Sequence, residues 1–222
     1  MLWTPNKVTA LRVLVAVAAV VLFGRGPWPG LAAVVLTVAA TALDALDGHL
    51  ARKKRMATPL GAQIDILGDR LIENLFFTYF AVAGMVSLWL PVLFFARGAA
   101  TDLLRGLAFK AGHSGWGGNA MFENRWGRAL TASRGSRALY AALKCGSFCY
   151  LGLELALSRG PVALLGTGSN ETHLAIRAVA EGLTWATAAF CLLRGLPVIL
   201  GGWQFFVREA GAARTSKTAE AA

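Results

Sequence analysis

The chain has 222 residues, of which 56% are hydrophobic and 15% charged, a balance that excludes an ordinary soluble domain and points to a membrane protein. Its formal net charge is +10, but the basic residues sit between apolar runs as a topology signal, so no nucleic-acid partner is expected. One compact all-α bundle is expected over residues 1–207, with a cytoplasmic tail at 208–222 and no internal repeat.

The first seven residues, MLWTPNK, form a short amphipathic segment with Trp3 as an interface anchor. Val8 to Phe23 is an apolar run interrupted only by Arg12, and RGPWPG after it reads as a turn. That profile imitates a cleavable signal peptide. The reading is rejected because a helix rich in candidate catalytic residues follows at once.

The second span starts near Leu31 and is apolar through Leu43. At 1.5 Å per residue it covers roughly 20 Å, short of a hydrocarbon core of ~30 Å. Asp44 therefore falls within membrane depth, in a water-filled cavity, since ionisable groups facing lipid are costly. Arg52-Lys53-Lys54-Arg55 returns to the surface, and Thr58-Pro59 introduces a third span over about Leu60 to Val86.

Residues 44–69 read DALDGHLARKKRMATPLGAQIDILGD. Helical spacing puts Asp44, Asp47, Gly48 and Ala51 on one face, and Gly61, Asp65 and Asp69 on a stripe one helix later. If the helices are antiparallel neighbours, the two stripes can face each other. Four close carboxylates would repel and partly protonate unless compensated. The usual relief is a hard divalent cation, and such a set can hold two, here Mg²⁺ or Mn²⁺. Gly48 and Ala51 would let a base or phosphate approach the backbone, and Arg52 can fork two hydrogen bonds to phosphate. The bland alternative is a hairpin whose acids are solvated or paired with Arg52, Lys53, Lys54, Arg55 and Arg70. Glu73 extends the second stripe by a turn and is expected to partner an arginine rather than a metal.

A fourth span covers about Leu88 to Lys110, then a polar, glycine-rich connection runs over 111–136, long enough to be functional. The fifth span is about Arg137 to Ser158. The sixth runs from about His173 beyond Arg194, with a kink expected at Gly195-Leu196-Pro197 and an apolar stretch through Val207. Cys145, Cys149 and Cys191 lie within apolar stretches and read as buried small hydrophobes. His49 and His113 are given no catalytic role.

With six transmembrane helices the outer connections fall near 24–30, 86–89 and 159–172, and of 22 Lys and Arg only Arg25 and Arg159 lie there. The positive-inside rule then puts both termini and the carboxylates on the cytoplasmic side of the cell inner membrane. Arg97 and Arg105 lie within about 80° of each other on the fourth span, at membrane depth. With Arg134 and Arg137 they could bind the phosphate of an acceptor, or simply anchor lipid headgroups.

The run Asp44-x-x-Asp47-Gly48-x-x-Ala51-Arg52, eight residues, then Gly61-x-x-x-Asp65-x-x-x-Asp69 resembles the full signature of the CDP-alcohol phosphatidyltransferase family. The resemblance implies a six-span membrane enzyme, usually a homodimer, that cleaves a CDP-linked alcohol such as CDP-diacylglycerol. It implies Asp44, Asp47 and Asp65 as metal ligands, Asp69 as ligand and catalytic base, and Gly48, Ala51, Arg52 and Gly61 around the nucleotide. PNKVTALR at 5–12 resembles the opening of the phosphatidylglycerophosphate-synthase branch, which adds Asn6 and Thr9 to the nucleotide pocket.

That branch begins its fourth span with Arg-Glu, whereas this chain has Arg97-Gly98. Its later GKxKTxxQ-like run stands here as Gly127-Arg128-Ala129-Leu130-Thr131-Ala132-Ser133-Arg134. The expected reaction is phosphatidyl transfer from CDP-diacylglycerol to a polar alcohol with CMP release. Glycerol 3-phosphate leads as acceptor, with inositol phosphate second. A divalent-cation carrier using the same acids is the competing class; transporters with midplane sites tend to show repeated halves, and this chain has none.

Overall fold

The computed structural model describes residues 5–54, 59–110, 125–158 and 170–220, without the side chains of 5–6, 45–54, 59–60, 62, 125–126, 128, 132, 170 and 208–220. Its elements are α1 (Pro5–Leu22), α2 (Pro27–Lys54), α3 (Pro59–Val82), α4 (Trp89–Lys110), α5 (Arg125–Ala132), α6 (Arg134–Ser158) and α7 (Asn170–Glu220). No strand occurs among the described residues, so the expected all-α class holds.

Local chemistry sets the helix ends. Proline is the first residue of α1, α2 and α3, where its missing N–H costs nothing and its fixed φ suits the helix. Gly24 and Gly26, at φ 74° and 123°, turn the chain between α1 and α2. Gly84, at φ 77°, ends α3. Its N–H donates to Ala81 O at 3.0 Å and the Met85 N–H to Phe80 O at 2.9 Å, the paired bonds of a Schellman motif.

The chain gathers into two compact units, Met1–Val92 with Ala141–Thr187, and Leu93–Tyr140 with Ala188–Ala222. The division passes inside α4, α6 and α7.

In the first unit, α1 packs on α2 and α3. Phe76 of α3 stacks on Phe148 of α6 with centroids 4.6 Å apart, and Phe23 lies edge-on to Phe76 at 6.2 Å. Gly152 permits this packing: a Cβ there would stand 2.3 Å from Phe23 Cε1. Between α6 and α7, the Ser147 and Thr187 hydroxyls share a hydrogen bond of 2.8 Å. In the second unit Ala108, Val198 and Phe205 form a small core with Leu107 against it.

Among the described residues several polar side chains are buried and many large apolar ones exposed. Arg12, Glu73 and Thr101 are buried, while Leu14, Val35, Leu67, Val82, Phe95 and Leu200 are exposed. Buried hydroxyls turn to their own helix, as Thr37 does in donating to Ala33 O at 2.8 Å. Pro27–Asp44 in α2 and Glu171–Val207 in α7 are long and apolar enough to cross a membrane by length and composition.

Three expectations are modified. The 111–136 connection contains α5, and the helix that follows starts at Arg134 rather than Arg137. The segment read as a tail from 208 is helical backbone to Glu220, continuous with α7 through Pro197.

Candidate active site

Asp44 lies in the C-terminal half of α2, and Asp65 and Asp69 lie one turn apart on α3. Arg12 of α1 joins them. Its Nη1 ion-pairs with Asp44, and its Nη2 lies 2.9 Å from Asp69 Oδ1 and 3.4 Å from Asp65 Oδ1. The arginine side chain is 2% exposed, whereas the three aspartates are 37–50% exposed. The carboxylates are thus anchored from within and open outward.

Arg12 can reach this position because the facing residue is Gly68. A Cβ at Gly68 would stand 2.8 Å from Thr9 Cγ2 and 3.2 Å from Arg12 Nη2. Thr9 is itself buried at this contact between α1 and α3. Burying the guanidinium requires partners, because an isolated charge in an apolar interior is costly. The three aspartates supply them.

Arg12, Asp44 and Asp69 line an open cavity together with Thr37, Glu73 and Lys144. Glu73 is 1% exposed and lies 3.3 Å from Arg70 Nη1 and 3.8 Å from Lys144 Nζ. Its expected arginine partner is therefore present, and a lysine from α6 joins the pair. Gly61 is partly buried at the start of the α3 stripe. Asn6, Asp47, Gly48, Ala51 and Arg52 belong to helical backbone, and their side chains lie outside the described residues.

Carboxylate oxygens suit a hard divalent cation such as Mg²⁺ in donor type, and their exposure gives such an ion access. As placed, no three acidic, histidine or cysteine side chains among the described residues could together hold a metal ion. The guanidinium lies between the carboxylates.

The predicted acceptor arginines belong to the second unit. Arg97 is 9% exposed, and its Nε has no hydrogen-bond partner. Arg105 pairs with Asp102 at 3.7 Å, while Arg134 and Arg137 are exposed at the start of α6. Arg97, Arg105 and Arg137 are all near enough to Arg194 for their charges to act on it. Arg194 donates to Ser136 O at 3.0 Å and Thr131 O at 3.4 Å, with its guanidinium 5.2 Å from the centre of the Tyr140 ring.

Arg12 and Arg194 are the members that sequence reasoning did not assign, and Lys144, grouped there with the acceptor arginines, lies instead beside Glu73. Arg12 carried a usable signal: a charge inside an apolar run is a functional candidate by default. Its partners, 32 to 57 residues away, left no local trace.

The family described as CDP-alcohol phosphatidyltransferase matches residues 2–158. The chain belongs to that family. A cardiolipin synthase (CMP-forming) of Oryza sativa subsp. japonica is 35% identical over 69 residues, 31% of this chain and 20% of that protein. A CDP-diacylglycerol–glycerol-3-phosphate 3-phosphatidyltransferase of Pseudomonas fluorescens is 41% identical over 69 residues, 31% of this chain and 35% of that protein. The matched stretches thus span about a fifth and about a third of these relatives.

Proposed function

We propose that the protein is an integral membrane phosphotransferase that moves a phosphatidyl group from CDP-diacylglycerol to a polar alcohol and releases CMP. The observation that carries this reading is the meeting of Asp44, Asp65 and Asp69 from two helices around one buried positive charge, with Asp44 and Asp69 lining a cavity. Glycerol 3-phosphate is the leading acceptor, favoured by the activity in the Pseudomonas relative's name and by the likeness of residues 5–12.

Asp44, Asp47, Asp65 and Asp69 would hold the divalent cations. When bound, these neutralise charge on the diphosphate and favour departure of CMP. Arg12 engages Asp69 through Oδ1, so Oδ2 can accept the proton of the acceptor hydroxyl. The hydroxyl oxygen forms a bond to the lipid-side phosphorus as that phosphorus loses its bond to the bridging oxygen, which leaves with CMP. Asn6, Thr9, Gly48, Ala51, Arg52 and Gly61 surround the nucleotide in this reading. Arg97, Arg105, Arg134 and Arg137 take the acceptor phosphate; the unpartnered Nε of buried Arg97 supports an anion there.

The same reading takes α1, α2, α3, α4, α6 and α7 as six membrane spans. Both termini and the carboxylates then face the cytoplasm of the inner membrane, a reading that the distribution of Lys and Arg supports. A homodimer follows from the family resemblance alone. The test is CMP release from CDP-diacylglycerol by purified protein, across an acceptor panel. Release with glycerol 3-phosphate supports the leading acceptor, and preference for inositol phosphate replaces it. Absence of CMP release with every acceptor favours the cation carrier.

A further inference from the structure

We infer that Arg12 is a built-in counter-cation of the carboxylate cluster, a positioning residue that shares its oxygens with the divalent cations. It would thereby set how tightly the site takes them. The inference rests on the cluster being the metal-holding site proposed above. It gives a role to Arg12, which closes the 5–12 stretch but was assigned to neither the metal ligands nor the nucleotide pocket.

Three observations point this way. Arg12 reaches aspartates of both helices that carry the signature, Asp44 on α2 and Asp65 and Asp69 on α3, with one guanidinium. Its contacts all use terminal nitrogens, so the planar fork fixes the spacing of the carboxylates as well as their charge. Arg12 is buried against Gly68: any side chain at that position would press on Nη2. A surface arginine that happened to find an acid would be neither buried nor shared among three.

The consequence is a competition. One positive charge stands against three carboxylates, which reduces their mutual repulsion and holds them together. The same charge repels an incoming divalent cation. Replacing Arg12 by a neutral side chain should therefore make the cluster hungrier for metal and the fold more dependent on it. An arginine that merely packs α1 would lower stability by the same amount with and without metal.

The experiment uses the full chain in lipid nanodiscs and Mn²⁺ alone as probe, with binding followed by electron paramagnetic resonance and thermal unfolding recorded in chelator and in Mn²⁺. Arg12→Gln should bind Mn²⁺ about tenfold more tightly than the unaltered protein, an order-of-magnitude value for removing one nearby like charge. Its stabilisation by Mn²⁺ should also be the larger. Arg12→Lys, which keeps the charge, should restore the affinity to within about threefold. If Arg12→Gln folds only with Mn²⁺, that is the strong form of the same result. If it folds in neither condition, Arg12→Gln combined with Asp44→Asn should recover folding in chelator by removing one repelling charge; failure to recover would overturn the inference. Equal Mn²⁺ affinity and equal metal stabilisation in Arg12→Gln and the unaltered protein would also overturn it. An unaltered protein that binds no Mn²⁺ would instead remove the metal site on which the inference rests.

Discussion

Gly195 of α7 lies directly against Arg97 of α4: a Cβ at Gly195 would stand 2.8 Å from Arg97 Nε and 3.1 Å from its Cγ. The glycine gives a buried arginine its berth, and the side chain cannot keep its present course past anything larger. Gly195→Val should displace the guanidinium. In the acceptor reading this raises the KM for the phosphorylated alcohol and leaves the KM for CDP-diacylglycerol unchanged. Steady-state kinetics with each substrate varied in turn checks the split; equal losses toward both would place Arg97 outside the acceptor pocket.

Arg105 tests the same pocket by charge. A charge-assisted contact contributes roughly 1.5–3 kcal/mol, or ~10–150-fold in an equilibrium constant. Arg105→Ala should therefore lower kcat/KM for the acceptor by about that factor. A headgroup anchor would instead weaken lipid association without discriminating between substrates, which nanodisc reconstitution with and without anionic lipid would reveal.

Glu73 is a buried anion held between Arg70 and Lys144. Glu73→Gln leaves two cations facing a neutral amide at the cavity, so it should destabilise the protein by about 2 kcal/mol, discounted because both cations are partly exposed. The added change Lys144→Met should recover part of that loss. Thermal unfolding of both single variants and the double variant measures the coupling, and additive losses would show that the lysine and glutamate act separately.

Gly152 makes a prediction independent of function. Its Cβ position lies 2.3 Å from the Phe23 ring, so Gly152→Ala must move an aromatic cluster that includes Phe76 and Phe148. Overpacking of this kind costs about 1–3 kcal/mol. A lowered Tm with unchanged substrate KM values is the expected result.

The helices were legible in the sequence where composition changes sharply. Apolar runs located α1 to α4, α6 and the first part of α7, and prolines marked three of the starts. The carboxylate stripes were legible because helical spacing is local: Asp65 and Asp69 need only four residues to show their shared face. Arg12 was not, since its role depends on the approach of α1 to α2 and α3, which Gly68 allows and no periodicity announces. α5 was hidden in a glycine-rich stretch. The helical backbone beyond Val207 was not legible because the polar composition of the segment masks the helix propensity of its alanines. Arg194 sat in an apolar span as one more basic residue, and its contacts with Thr131 and Ser136 cross about sixty residues of chain.

Release of CMP from CDP-diacylglycerol, with glycerol 3-phosphate as acceptor, tests the central claim most directly. Purified protein should release CMP in Mg²⁺ or Mn²⁺, stop in EDTA, and resume when metal is restored. Asp69→Asn should lose at least ~10³-fold in rate, since it removes a base and a metal ligand together. Full turnover in chelator, or a near-normal rate in Asp69→Asn, would contradict the account.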